Sequence, residues 1–239
     1  MNIDFAQVLP YLPVLLKAAL MTIFLAVVTQ VCGTVFGLVL ALARDARLKA
    51  LNVAAFVYIW VFRGTPVLLH LFFVYYAAPL FGLRLDALPA AIIALSMSSA
   101  AYNAEIIRAG IRAVPRGQTE ASQALGMTWP LILRFVVLPQ AMRIVLPPYV
   151  GNFISHTKNT SLASVITVPE LMLSAQTIYS STYRAVEVLT LTGLIYLTIT
   201  TVLTLAQLRL ERANTARTGS TPRRKRLRAS RGPLGQNAR

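Results

Sequence analysis

The sequence predicts an all-α integral membrane protein with five transmembrane helices. Of its 239 residues, 56% are hydrophobic and 13% are charged, and the mean hydropathy is +0.62. A soluble domain of this size carries about 25% charged residues. Each of five apolar runs reaches the roughly 20 residues that a helix needs to cross about 30 Å of hydrocarbon. These runs cover residues 12–43, 50–81, 87–107, 139–163 and 186–208.

Two features of these runs affect how they are interpreted: the length of the first run, and the prolines within the second and fourth runs. The run 12–43 is interpreted as a span, because it is too long for a signal peptide and has no small-residue cleavage site. The second run contains Pro66 and the fourth contains Pro147 and Pro148, and we expect a helix break at both places. Backbone groups freed at membrane depth are tolerated mainly beside a cavity or inside protein.

The polar segment 115–138, between the third and fourth runs, predicts a short helix outside the membrane. Pro115 and Gly117 are expected to end the preceding helix, and residues 119–125 then form the short helix. Gly126 suits a left-handed C-terminal position. A short helix with small residues on its surface can lie close against a groove of a partner.

Charge predicts the orientation. The net charge is +2 at residues 44–49, +3 across residues 105–143 and +9 from Arg209 onward, which together account for +14 of the total +15. In a five-span protein these segments lie on the same side of the membrane. The positive-inside tendency makes that side cytoplasmic. We therefore expect a multi-pass protein of a bacterial cytoplasmic membrane, with its N-terminus outside and its C-terminus in the cytoplasm.

Several short motifs, in order along the chain, resemble the permease subunits of bacterial ABC importers for polar amino acids. Glu120-Ala121-Ser122, with Gly126 four residues on, resembles the cytoplasmic EAA loop of that family. The resemblance covers roughly residues 12–212. Ser122 departs from it where the family has alanine, and Asn159 where it often has aspartate. Six further motifs carry the resemblance: Arg63-Gly64-Thr65-Pro66, residues 101–111, Pro115-Arg116-Gly117-Gln118, Leu138-Pro139-Gln140-Ala141, Lys158-Asn159-Thr160-Ser161-Leu162 and Leu210-Glu211-Arg212.

The resemblance implies the fold and the partners of a type I ABC importer. Two permease subunits, either two copies or a copy with a sister chain, would surround one pathway and receive the ligand from an extracytoplasmic solute-binding protein. Separate ATPase subunits would bind ATP and Mg²⁺, so the chain would be neither an enzyme nor a holder of a cofactor or metal. The sequence agrees, since it has no GxxxxGK[ST] phosphate loop and no zinc-ligand spacing. The residues implied to contact the ATPase are Gln118, Glu120, Ala121, Ser122, Ala124, Leu125 and Gly126.

Polar residues inside the apolar runs indicate the substrate pathway, because they are costly against lipid and tend to face a bundle interior or a wet cavity. Glu105 could meet the ammonium group of an amino acid, and Lys158 or Arg63 its carboxylate. Without a further anion at Asn159, a neutral polar or acidic amino acid is expected over a cationic one. The alternative for these residues is ordinary helix packing, with an ion pair from Glu105 to Arg108 or Arg112. The predicted pathway residues are Arg63, Thr65, Ser98, Tyr102, Glu105, Lys158, Asn159 and Thr160.

The chain is predicted to divide into a permease domain, residues 1–212, and a basic, disordered cytoplasmic tail, residues 213–239. The tail has no aromatic residue to stack on bases, so contact with anionic membrane lipid is expected and nucleic-acid binding is not. Two other function classes stay open at this point. One is an ion-coupled secondary transporter, and the other is a membrane component that only docks a cytoplasmic partner.

Overall fold

The computed structural model describes the backbone of residues 4–218 and the side chains of residues 4–212. Within that part of the chain all regular secondary structure is helical. Helix α9 continues to Thr218, and the rest of the predicted tail lies outside the described residues. The α-helices are α1 Leu12–Arg44, α2 Lys49–Gly64, α3 Val67–Phe72, α4 Ala87–Arg112, α5 Arg116–Ala124, α6 Trp129–Ile132, α7 Leu138–Asn159, α8 Leu171–Thr182 and α9 Ala185–Thr218. Shorter 3-10 or π turns lie at Phe5–Gln7, Leu9–Tyr11, Phe73–Ala77, Ala78–Phe81, Leu133–Val137 and Thr160–Ile166.

Four stretches of the described chain are long and apolar enough to cross a membrane. They are Phe5–Arg44, Ala87–Arg112, Trp129–Ile166 and Ala185–Arg212. A fifth crossing results if α2 and the segment Val67–Phe81 count as one broken span, since these two pieces meet at an angle of 109°.

The proline residues in the spans have different consequences. Pro66 lies at the sharp bend between α2 and α3, as the sequence predicts. The predicted break at Pro147 and Pro148 is wrong, because both residues lie inside the continuous helix α7. Helix α9 packs against this part of α7, where the Gln207 side-chain amide donates to the Pro147 carbonyl over 3.5 Å. Packing against another helix can hold a proline-containing span together.

Helices α1 and α4 share the most extensive contact between two helices of the described chain. A Cβ atom added at Gly33 would lie 2.6 Å from the Ser99 Cβ, and one added at Gly37 would lie 2.9 Å from the Ala100 carbonyl oxygen. Two glycines four residues apart let the backbones approach in this way. The fold therefore depends on a seam between α1 and α4 that admits no larger side chain.

A buried carboxylate holds the end of the bundle opposite the short helix α5. Glu170 caps the start of α8, where its Oε1 accepts the Leu173 N–H at 2.9 Å. Its Oε2 accepts the Tyr196 hydroxyl at 2.9 Å and the Thr22 hydroxyl at 3.4 Å. This single side chain therefore joins α1, α8 and α9.

The short helix of segment 115–138 forms, but earlier than predicted. Helix α5 begins at Arg116, so Gly117 lies inside it and does not end the preceding helix. Pro115 takes the capping position instead, where its fixed φ suits a helix start. The expected left-handed conformation of Gly126 is confirmed, with φ +76°.

Candidate functional site

Helix α5 and the turn after it present a small surface of polar and small side chains, with one large apolar residue. Leu125 protrudes from it and is 83% exposed. Among the seven residues predicted to contact an ATPase, Ser122 alone is not exposed. It is buried, and its hydroxyl donates to the Gln118 carbonyl over 2.7 Å, so it supports the helix. The other six predicted residues are exposed: Gln118, Glu120, Ala121, Ala124, Leu125 and Gly126.

An apolar pad beneath α5 fixes this surface to the membrane helices. Val114, just after α4, packs with Ile132 of α6, with Val137 and with Ala141 of α7. These residues lie before and after α5 in the chain. The pad therefore joins the adjacent ends of α4 and α7, between which α5 lies in the chain.

A second cluster of predicted residues lies where α2 ends beside α4. The Arg63 guanidinium is 5.5 Å from the centre of the Tyr102 ring, a cation–π distance. Its Nη1 is 4.0 Å from Glu105 Oε2, and the Arg63 side chain is 46% exposed. Glu105 also accepts a hydrogen bond from Arg108 at 3.5 Å. The structure thus brings Arg63, Tyr102 and Glu105 together, and it contains the Glu105–Arg108 ion pair that the sequence left as an alternative.

Thr65 takes part in closing the bend after α2. The Thr65 hydroxyl donates to the Val61 carbonyl at 2.7 Å. The His70 Nε2 lies 2.7 Å from the Thr65 hydroxyl oxygen. Because the Thr65 proton points to Val61, His70 must donate from Nε2. The buried His70 Nδ1 then has no hydrogen-bond partner among the described residues. Thr65 and His70 therefore act as a pair that spans the break at Pro66.

The remaining predicted pathway residues lie apart from this cluster. Ser98 is buried within the bundle, and Thr160 is buried with its hydroxyl donating to the Thr157 carbonyl at 2.8 Å. Lys158 is exposed in the last turn of α7, and Asn159 beside it is half-buried. Among the described residues, no hydrogen bond or ion pair joins these four side chains to Arg63, Tyr102 or Glu105.

Sequence reasoning missed a buried amide network between α1, α4 and α7. Asn103 accepts hydrogen bonds from Gln30 at 3.5 Å and from Asn152 at 3.1 Å. It donates to Ser99 at 3.2 Å and to Thr34 at 3.3 Å. Gln30 was the available signal, since a lone amide in a long apolar run requires a buried partner.

Sequence reasoning also missed the role of Asp45, whose only signal in the sequence is its charge between two helices. One oxygen of Asp45 accepts hydrogen bonds from Arg112 at 2.7 Å and from Arg108 at 3.2 Å. Burial alone raises the pKa of the Asp45 carboxyl, but the two arginines outweigh burial and hold the pKa below its ordinary value. Asp45 is therefore ionised at neutral pH.

Among the described residues, no three His, Cys, Asp or Glu side chains lie close enough together to hold a metal ion. Each of the two histidines pairs with a threonine instead: His70 with Thr65, and His156 with Thr29 at 2.7 Å.

Comparison with known proteins agrees with this geometry. The sequence profile of the family described as "Binding-protein-dependent transport system inner membrane component" matches residues 33–215. The arginine transport system permease protein ArtQ of Bacillus subtilis is 38% identical over 213 residues, which cover 89% of this chain and 97% of ArtQ. The glutamine transport system permease protein GlnP of Escherichia coli strain K12 is 37% identical over 214 residues, covering 89% of this chain and 98% of GlnP.

The fold also matches a solved structure. A chain from the crystal structure of an amino acid ABC transporter with histidines superposes with a TM-score of 0.85 at 37% sequence identity. The match covers 89% of this chain and all of that one.

Proposed function

Since the chain belongs to the family of binding-protein-dependent transport system inner membrane components, we propose that it moves a polar amino acid, neutral or acidic, across the cytoplasmic membrane. It is a multi-pass permease subunit of an ABC amino-acid importer, and ATP hydrolysis belongs to a separate subunit. The exposed helix α5, fixed to the spans by its apolar pad, supports ATPase docking at this surface. An extracytoplasmic solute-binding protein delivers the ligand, and a second permease subunit completes the pathway.

The preference for a neutral or acidic substrate rests on the charge balance of the predicted pathway. Glu105 already faces two cations, Arg108 and Arg63. Its negative charge is therefore largely neutralised by the protein. Arg63 and Lys158 are both substantially exposed and can meet a carboxylate. A cationic side chain would meet no unpaired carboxylate among the predicted pathway residues, which is unfavourable at low dielectric.

Relatives do not decide the substrate, because arginine and glutamine permeases are equally similar to this chain. The deciding measurement is uptake of labelled glutamine and glutamate by the reconstituted importer, with unlabelled competitors. We expect strong competition by glutamine or glutamate and weak competition by arginine or lysine. The reverse order would refute the substrate assignment. Uptake driven by a proton gradient without ATP would refute the ATPase-driven mechanism.

Docking through α5 is tested by filling its small-residue surface. Ala121→Trp should leave the protein in the membrane but abolish ATPase binding and uptake, since a bulky side chain prevents close seating in a groove. Ala185→Trp, at an exposed alanine that begins α9, is the matched control and should keep both activities. Normal ligand-stimulated ATP hydrolysis by the Ala121→Trp complex would exclude this docking surface.

The proposed orientation places the N-terminus outside and α5 with the C-terminal end in the cytoplasm. It is supported by the net positive charge of the α1–α2 corner and of the 105–143 region. A reporter fused after Arg212 should be cytoplasmic, and one inserted between residues 83 and 88 extracytoplasmic. The opposite pattern would invert the topology.

A further inference from the structure

Five side chains of alternating charge form a continuous series along one face of α4. We call this series the charge ladder: Arg63, Glu105, Arg108, Asp45 and Arg112. Successive members lie 4.0, 3.5, 3.2 and 2.7 Å apart, measured between the nearest charged atoms in the order Arg63–Glu105, Glu105–Arg108, Arg108–Asp45 and Asp45–Arg112. Adjacent members are always of opposite sign.

The ladder attaches α2 to α4 near both ends of α2. Glu105, Arg108 and Arg112 are separated by three and four residues, so they lie on one face of α4 over about 10 Å. At one end of the ladder, Arg63 comes from the last turn of α2, next to the sharp bend at Pro66. At the other end, Asp45 comes from the corner that connects α1 to α2.

That corner is itself held firmly to the start of α2. The Arg44 Nη1 donates to Asn52 Oδ1 at 2.6 Å, and the Asn52 amide donates back to the Arg44 carbonyl. The Arg44 guanidinium also lies 4.7 Å from the centre of the Phe56 ring. A displacement of Asp45 would therefore also move the first turns of α2.

The ladder ends close to the proposed ATPase-docking surface. Arg112 is the last residue of α4, and α5 begins four residues later at Arg116. Val114, between them, belongs to the apolar pad beneath α5. Any movement of α5 thus reaches Arg112 through a short, packed connection.

We propose that the charge ladder is the mechanical link that carries movement of α5 to α2 and to the bend at Arg63-Gly64-Thr65-Pro66, with Asp45 as the positioning residue that joins Arg108 to Arg112. This inference rests on the proposed function, because it takes α5 as the point where ATPase movement enters. Gly64 favours a moving joint here, since a Cβ added to it would meet nothing within 4 Å. The ladder makes α2 follow α4, and the bend then changes the shape of the predicted pathway.

The ladder is suited to transmission more than to stability. Arg63, Asp45 and Arg112 are 46%, 40% and 59% exposed in their side chains, and exposed ion pairs contribute little to folding. Coupling between two sites is a difference between two states, and such differences typically change an equilibrium about 5- to 150-fold. Loss of the link should therefore appear in transport before it appears in folding.

The test compares ATP hydrolysis and uptake in the same reconstituted complex, with Asp45→Asn against wild type. We expect Asp45→Asn to bind the ATPase and hydrolyse ATP at a near-normal rate, while substrate moved per ATP falls about tenfold. Asp86→Asn is the matched control, because Asp86 is an exposed aspartate before the opposite end of α4 and makes no side-chain capping bond. It should leave substrate moved per ATP unchanged.

A second variant distinguishes a shared link from general damage. Arg112→Gln should also lower substrate moved per ATP, and the double variant should lose no more than Asp45→Asn alone, because both changes remove the same bond. Independent, additive losses would overturn the ladder, as would wild-type coupling in Asp45→Asn. If Asp45→Asn does not accumulate, Arg112→Gln alone decides: unchanged coupling in it overturns the proposal. Absence of ATP-driven uptake in wild type would instead refute the proposed function.

Discussion

The two faces of α4 differ in almost every physical respect. The face toward α1 is fully buried and neutral, and its small residues and amides pack against Gly33 and Gly37. The opposite face carries the charge ladder and Tyr102, and most of its side chains are partly exposed. Helix α4 therefore has a close-packed contact on one side and a series of partly exposed ion pairs on the other.

This difference indicates how a helix can be both scaffold and moving part. The buried seam has no space to change, so α1 and α4 should stay together through a transport cycle. Exposed ion pairs can break and re-form at little cost. Changes on the seam should thus alter stability, whereas changes on the charged face should alter transport.

The largest expected effect comes from filling the seam. Gly33→Leu would place a side chain where even a Cβ is 2.6 Å from Ser99 and 3.1 Å from the Ala100 backbone nitrogen. Overpacking typically costs about 1–3 kcal/mol, and backbone contacts leave little room for relief. We expect the variant to lose most folded protein, measured as monodisperse material after detergent extraction. Gly193→Leu is the control, since a Cβ added there meets nothing within 4 Å. Equal yields of the two variants would contradict a close-packed seam.

A smaller effect is expected from the amide network on the same face. Asn103→Leu removes one amide and leaves Gln30 and Asn152 without their common partner. Hydrogen bonds between membrane helices contribute about 0.6–2 kcal/mol, so the midpoint of thermal unfolding in detergent should fall measurably. Thr190→Leu, at an exposed threonine of α9, should change it little. A midpoint for Asn103→Leu at or above the wild-type value would show that the network is dispensable for stability.

How much of this contrast the sequence could predict depends on the face. The charged residues, Pro66 and Gly126 carry local signals, and the resemblance to importer permeases depends on such residues. The seam carries only the GxxxG spacing of Gly33 and Gly37, which predicts a close helix contact but not which helix makes it. Pro147 and Pro148 show the same limit where a local signal is strong. Their local signal predicts a break that tertiary packing removes.

Ser98 and Glu105, two predicted pathway residues of α4, show that helical spacing predicts a shared face but not how deeply each residue is buried. Ser98 and Glu105 lie on nearly the same side of the helix, at 100° per residue. Nearer the N-terminus of α4, however, α2 and α3 cover that side. The Tyr58 hydroxyl of α2 donates to the Met97 carbonyl at 3.0 Å, and Leu71 of α3 packs in the same buried cluster as Ala94. Helical spacing gives direction around the axis, but only the fold shows where a neighbour lies.

On the charged face, Glu105→Gln should separate transport from stability. The change removes the charge that pairs with Arg108 and faces Arg63. We expect uptake to fall about fivefold, with a stability change below about 1 kcal/mol, because the ion pairs are partly exposed. Uptake and thermal unfolding should be measured on the same preparation, with Asp86→Asn as the control. A large loss of stability with normal uptake would reverse the roles assigned to the two faces.

The smallest expected effect is a pH dependence of stability at Asp45. Its arginine partners hold the pKa of this carboxyl below the ordinary value in the folded protein. A lowered pKa means that the unfolded chain binds the proton more readily, so the stabilising contribution is present above the ordinary pKa of about 4 and is lost as the pH falls through the folded value. The difference in unfolding midpoint between wild type and Asp45→Asn should therefore be small and constant from about pH 8 to pH 5 and should shrink at more acidic pH. Because Asp45 is 40% exposed, high salt should reduce the same difference. A difference that grows on acidification would mean that Asp45 is held in its neutral form, and the charge ladder would then lack one of its two anions.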